Sequence, residues 1–450
     1  MSKSQYNNII VIVVFASILL SLFFSGWEAI GIGMTIISII NFFYYTKTSF
    51  DIRHLIVLIA VIQWVFGAVL SYHFIPEVDV YKMKVESKQY FSLAIPGMFF
   101  YIVGLFFPIN YKKVNKANLI SRINILRLKN KNIDIFLVIT GLAFSVFNKL
   151  APESLRFIVF LLSGIQFVGL VMLLTNPYRK KKKLILIITG LFLLISGIIR
   201  GGFGLIFVWI IASFVIYNYF VKVPAKQIII IGSIAILMIF LMQGIKMQYR
   251  SITWMSGIEY SITEKLDVFT KLVSEKQDIS DEETQKSVIS RINQGWIISE
   301  IIANMEVYGG EYLEGESINK AILSTVLPGS LYDEKRKAGG QEYFSRFTGR
   351  RLGKTTSMNI GVIGEAYGNY GRFGSFAFMF VFGLFLNIIF KFVIKIIIKT
   401  PIIIFFIPML FQQVIKAEGD FFIVLNHIVK AGVFIYAIYW GLSKIYKLKV

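Results

Sequence analysis

The sequence has no cysteine and only three histidines in 450 residues, and charged side chains make up only 16% of it. Without cysteine there can be no disulfide, no thiolate zinc site and no cysteine nucleophile. The histidines, His54, His73 and His427, are too scattered in sequence to suggest a metal cluster. The expectation is therefore metal-free chemistry or none, with no cofactor, and with His73 and His427 as ordinary helix residues. Charge is well below the roughly 25% of soluble domains, while hydrophobic residues reach 56%. That balance is that of an integral membrane protein.

A membrane-spanning helix needs about 20 mainly apolar residues. Twelve segments qualify, at residues 9–25, 30–45, 55–74, 91–107, 133–150, 155–175, 184–199, 203–220, 228–245, 373–393, 402–415 and 421–442. The second and eleventh are short, so eleven to thirteen spans are defensible. The fold expected is an all-α polytopic membrane protein with spans in residues 1–245, one large extracytoplasmic loop at 246–358 and further spans in 359–450. The first segment lacks a convincing small-residue cleavage site and reads as a retained anchor.

Formal net charge is +21. With the N-terminus inside, every basic cluster (TKTSFDIRH, Lys112 to Lys131, NPYRKKKK, VKVPAK, Lys391 to Lys399 and SKIYKLKV) falls on the cytoplasmic side, as the positive-inside rule requires. Both termini are then cytoplasmic. The excess charge is topological and no nucleic-acid signature, and runs such as Lys180 to Lys183 are solvated faces touching anionic headgroups.

The long loop is too large to be a mere connection. In SRINQGWIISEIIANM, Ile289, Ile292, Trp296 and Ile297 fall near helical spacing, which predicts an amphipathic helix lying on the surface. Farther on, AGGQEYFSRFTGRRLGKTTS alternates Tyr343, Phe344 and Phe347 with Arg346, Arg350, Arg351 and Lys354, a composition suited to polar, anionic material at the outer leaflet. The loop runs into MNIGVIGEAYGNYGRFG, whose glycines at 361, 364, 368, 371 and 374 recur every three or four residues. On a helix this gives one bare face for close packing. Glu365 and Arg372, seven residues apart, would face one interior cleft, where ionisable residues mark a functional pathway or form a structural salt bridge.

The ordered set KMQYR, RINQGWIIS and IGEAYGNYGRFG, over roughly residues 240 to 380, resembles the bacterial O-antigen and capsular repeat-unit polymerases of the Wzy type. The first half matches only in hydropathy. The resemblance implies transfer of a growing glycan from undecaprenyl pyrophosphate to a hydroxyl of a new lipid-linked repeat unit, at the outer face of the bacterial plasma membrane. A flippase and a chain-length regulator would be partners. Such a reaction needs cations for the pyrophosphate, a carboxylate to take the acceptor proton, and aromatic and amide groups to orient sugars. Arginine suits the first task through its bidentate fork. The candidates are Arg200, Arg250, Arg291, Arg350, Arg351 and Arg372, with Tyr367 and Asn369 as further substrate contacts.

Glu365 ranks first as the base and Glu342 second. Glu418 and Asp420 are a third option, although acids there suit a cap on the last helix. Glu77 and Asp79 would serve a GT-C-like site, a weaker reading because such acidic pairs usually lie in the first outer turn, which here holds only Glu28. An O-antigen-ligase-like or other GT-C glycosyltransferase would use similar residues. A non-enzymatic lipid-linked glycan flippase would have many spans but short loops, and no internal repeat is visible.

Overall fold

The computed structural model describes residues 3–446 except 77–78, 112, 148–150, 153–154, 201–203, 225, 229, 231, 233–244, 246–247, 255–259, 275–281, 329–330, 338–339 and 354–355. Among the described residues the chain is helical, with no strand. Ten helices with described bounds precede the long connection: α1 (Lys3–Leu20), α2 (Gly26–Thr48), α3 (Arg53–Val61), α4 (Gly67–Phe74), α5 (Ser87–Leu105), α6 (Lys116–Lys129), α7 (Ile133–Phe147), α8 (Arg156–Leu174), α9 (Lys182–Arg200) and α10 (Gly204–Val221). The connection holds α11 (Ile262–Ser274), α12 (Glu282–Ile292), α13 (Gly295–Glu306), α14 (Glu316–Val326) and α15 (Gln341–Thr348). The chain then forms α16 (Val362–Lys399), a 3₁₀ turn (Pro401–Phe406), α17 (Ile407–Lys416) and α18 (Phe421–Ile445).

Eight of the described helical segments are long and apolar enough to cross a membrane, or nine if the pair α6 and α7, bent by 78°, is one span. Twelve were expected. The ninth expected span lies almost wholly outside the described residues. The eleventh is the short apolar stretch Pro401–Lys416, and α5, carrying Lys88, Gln89 and Pro96, is not among the eight. The second, expected to be short, is a full 23 residues, started by a capping box in which Ser25 and Glu28 satisfy each other's backbone N–H.

Glycine sets the closest helix contacts. A Cβ at Gly104 of α5 would lie 2.1 Å from the Phe380 carbonyl oxygen, and one at Gly383 of α16 would lie 2.3 Å from that of Tyr101. Backbone therefore meets backbone along α5 and α16, the packing that small residues allow between helices in lipid. Gly141 of α7 approaches Gln166 of α8 in the same way.

We call upper the end of the bundle at which α2 and α5 begin. At the lower end, basic residues cap helix C-termini: Arg122 donates to the Ile398 and Lys399 carbonyls, and Arg127 to those of Met172 and Thr175.

Midway along the α3–α4 rod lies one π turn, Ile62–Phe66, which leaves carbonyls without helical partners. Distant groups satisfy them. Gln294 N–H donates to the Gln63 carbonyl at 3.0 Å and the Tyr90 hydroxyl to that of Trp64 at 2.6 Å. This corrects the expected surface helix. The chain breaks at Asn293 and Gln294, between α12 and α13, and residues Gly295 to Met305 of α13 are all buried. Glu300 and Asn304 are among them; a segment this apolar on every side belongs in a core.

Candidate functional site

The first residues of α16, 362–370, form a short helix of their own. Gly361 caps it at φ 69°, and Gly371, at φ 65° and ψ −168°, breaks it from the rest of α16. Both torsions lie where glycine alone is comfortable. Ile363 lies against Gly97, halfway along α5, whereas Arg372 reaches Ser92 and the Gln89 carbonyl nearer its start. The short helix therefore climbs from the middle of the bundle to its upper end. Two of the expected bare-face glycines do serve close approach: a Cβ at Gly364 would meet Ile301 at 2.9 Å, and one at Gly368 would meet the Phe347 ring at 2.2 Å.

The break at Gly371 separates Glu365 from Arg372, and the single cleft expected for them does not form. Glu365 points inward and is fully buried. Its Oε1 accepts from Arg336 Nη1 at 2.5 Å and from Ser317 Oγ at 2.7 Å, and its Oε2 accepts from Phe421 N–H at 2.7 Å. Arg336 bridges onward to Asp420 Oδ2 at 2.8 Å and lies 4.0 Å over the Tyr343 ring. Asn369 joins this network, donating to Ser317 Oγ at 2.8 Å and accepting from Gly315 N–H at 3.1 Å. Burial works against the Arg336 charge, but Glu365 and Asp420 outweigh it and raise its pKa. Burial, then the Glu365 charge, push Asp420 up to about 6 despite Arg336. Asp420 also caps α18, accepting from Ile423 N–H at 2.9 Å, the role expected of an acid there.

The opposite face of the short helix carries a second cluster, half open to solvent. Tyr367 donates to Glu306 Oε1 at 2.5 Å, Arg372 Nη2 donates to the same oxygen at 3.0 Å, and Gln89 donates to Oε2. Tyr312 stands edge-on to Tyr367, ring centroids 5.8 Å apart, and donates to its hydroxyl. Partial burial would raise the Glu306 pKa, but the donors Tyr367, Gln89 and Arg372 prevail and lower it. Tyr308 and Phe373 beside the cluster are 73% and 83% exposed, and Tyr312 and Tyr370 about 40%. This arrangement places a carboxylate, a guanidinium and the Tyr312 ring where a polar ligand can reach them, whereas Tyr367, expected as a substrate contact, is fully buried behind them.

The remaining expected site residues scatter. Arg350 pairs with Glu300 at 2.6 Å, and Lys84 approaches the same carboxylate at 3.7 Å. Arg351 is exposed. Glu342 is half-exposed, 3.8 Å from Lys320, beside the bidentate pair Arg346–Glu316. Arg250 lies 4.3 Å over Trp254, and burial and then the Arg291 charge lower its pKa, so those two arginines are neighbours. The Arg200 side chain and Glu77 lie outside the described residues. Glu28 is buried on Ser87, and Asp79 accepts from Tyr81 N–H. His427 contacts the Met409 carbonyl and His73 lies 3.7 Å from Glu28. Tyr343, Phe344 and Phe347, expected to face a ligand, are core residues at 2% exposure or less.

Sequence reasoning missed Arg336, Ser317, Glu306, Tyr312 and Gln89. Arg336 sits in DEKRKAGG, a charge run that reads as solvated, and its partners are 29 and 84 residues away. Glu306 ends the buried α13 just before the glycine pair 309–310, which is the one local hint that an acid is presented at a turn. No family model, curated protein or solved structure matches the chain.

Proposed function

We propose that this chain is a membrane glycosyltransferase that joins lipid-pyrophosphate-linked oligosaccharide repeat units, with its upper end outside a bacterial plasma membrane and both termini in the cytoplasm. The reading rests on the sequence resemblance and on one observation, the half-open cluster of Glu306, Arg372, Tyr367 and Tyr312. In the transfer, an acceptor hydroxyl oxygen bonds to the donor's anomeric carbon, the bond from that carbon to the pyrophosphate oxygen breaks with its electron pair, and the hydroxyl proton leaves. Arg372 is the cation placed to pair the departing pyrophosphate. As it turns to the phosphate, Glu306 loses a charge partner and becomes the better base for the acceptor proton. The exposed tyrosines flank the sugars. Glu365 is spent on three internal donors and holds the short helix. The lipid carrier would be undecaprenyl pyrophosphate, and a flippase and chain-length regulator would be the natural partners.

A second reading, passage of a lipid-linked glycan across the membrane, is favoured by the broken backbone inside the bundle. The π turn at Trp64, the left-handed Ala417 and the start of the short helix at Gly361 meet, with Trp64 Nε1 donating to the Ala417 carbonyl at 3.1 Å. Transporters place such discontinuities at substrate sites. Cells lacking the gene decide between the two. Single repeat units accumulating on the outer leaflet support the transferase, whereas units trapped on the cytoplasmic leaflet support transport and overturn it.

A further inference from the structure

We propose that the buried cluster of Arg336, Glu365 and Asp420 holds one exchangeable proton, and that releasing it loosens the packing of α14 against α18. The proton site stands whether or not the chain transfers glycans. One guanidinium faces two carboxylates, and all three side chains are at most 2% exposed. With both acids ionised the site carries one uncompensated negative charge in a dry interior, which is costly; with one protonated, the charges cancel.

Hydrogen bonding decides which acid takes the proton. Glu365 accepts from three donors, Arg336, Ser317 and Phe421 N–H. Asp420 accepts from two, Arg336 and Ile423 N–H. The better-solvated anion is Glu365, so Asp420 is the group that binds the proton.

Among the described residues no second cation pairs with Glu365 or Asp420; Arg346 of α15 lies 5.6 Å from the Tyr343 ring but pairs with Glu316. Tyr343 of α15 lies under Arg336, with Phe422 of α18 on its other side, 5.5 Å away. Tyr370 of α16 feels the Glu365 charge. Phenols of this kind titrate near 10 or above, outside the range at issue. In the turn before Asp420, Lys416 interacts with Glu418, and His427 faces Met409.

The cluster ties separate parts of the chain together. Ser317 lies in the first turn of α14, Arg336 follows that helix, Glu365 belongs to the short helix and Asp420 is the N-cap of α18. Arg336 is also anchored to α14 through its N–H, which donates to Ser324 Oγ at 2.9 Å. Parting α14 from α18 admits water to the excess charge, so ionisation favours parting. The sign follows from an acid whose pKa is raised in the folded state. Its stabilising contribution is complete below the ordinary aspartate value near 4 and is lost as pH rises through about 6.

The test is hydrogen exchange on the full chain in lipid nanodiscs from pH 4.5 to 7.5, with each amide rate divided by its intrinsic rate. The α14 amides should lose roughly tenfold or more in protection as pH rises, with a midpoint near 6, while α2 changes little. Asp420→Asn, which keeps a capping oxygen but cannot ionise, should abolish the step. Glu365→Gln should also abolish it, because Asp420 then pairs one-to-one with Arg336 and stays charged. A flat wild-type profile overturns the proposal, and so does a step that persists in either folded variant.

Discussion

Arg372 pairs with Glu306, 66 residues away in sequence, at 3.0 Å. The positive φ of Gly371 turns Arg372 off the line of the short helix, and Ser92 and the Gln89 carbonyl of α5 hold its other nitrogen. The ion pair is therefore clamped between three elements yet keeps both members partly accessible, at 27% and 31% side-chain exposure. That partial exposure leaves the guanidinium within reach of an anion from outside the bundle.

The first prediction concerns that pair. Glu306→Gln keeps the size and the Tyr367 contact but removes the proposed base, and turnover of lipid-linked repeat units should fall by about 10² to 10⁴ with folding intact. Arg372→Lys leaves a point charge without the bidentate fork, so donor KM should rise more than kcat falls. Both variants are purified and assayed per folded molecule. Unchanged turnover in the two of them removes the cluster from the chemistry.

Arg336 and Arg346 separate a buried bridge from a surface one. Removing Arg336 leaves two buried carboxylates facing each other, and Arg336→Ala should cost about 3–5 kcal/mol. Arg346 makes a bidentate pair with Glu316 at 2.5 and 2.7 Å, but its side chain is 36% exposed, so Arg346→Ala should cost less than about 1 kcal/mol. Thermal unfolding in detergent compares them. Equal losses would mean that solvent reaches the Arg336 site.

The membrane class, the position of most long helices and the cap at Asp420 were legible in the sequence, because hydropathy, length and an acid at a helix start are local signals. The site was legible only in part. Glu365 and Arg372 stood out as charges in an apolar stretch, but their partners Arg336 and Glu306 are joined to them by folding alone. Residues Trp296 to Met305 do carry a local sign of burial, apolar on nearly every side, which outweighs the helical spacing of Ile289, Ile292, Trp296 and Ile297. The π turn at Gln63 that accepts Gln294 N–H has no signature in composition. Tyr343, Phe344 and Phe347 pack inward for a similar non-local reason: the Phe347 ring fills the space that Gly368 leaves on the short helix.

Gly368 gives a packing prediction. A methyl group there would sit 2.2 and 2.4 Å from Phe347 ring atoms, and that ring is fully buried. Gly368→Ala should therefore destabilise the protein by about 1–3 kcal/mol, the usual cost of overpacking. Gly441→Ala, with nothing within 4 Å of the added carbon, is the control and should change stability little. Matching melting temperatures for the two variants would show that Phe347 moves aside freely.

The last prediction fixes orientation, and the absence of native cysteine makes it direct to test. Single cysteines replace Tyr308, exposed beside the Glu306 cluster at the upper end, and Lys180, exposed in the basic turn after α8. The basic clusters place Lys180 inside, since cytoplasmic connections carry the excess of Lys and Arg. In intact cells an impermeant maleimide should label the Tyr308→Cys protein and leave Lys180→Cys untouched until the membrane is opened. The reverse pattern would put the half-open cluster in the cytoplasm, away from outer-leaflet glycans, and would exclude the transferase reaction at that face. Labelling of both from outside would mean that the segments between them do not cross as charge bias requires, since the turn after α13 and the basic turn then share a side. Only the first pattern leaves Arg372 facing a lipid-linked glycan on the outer leaflet.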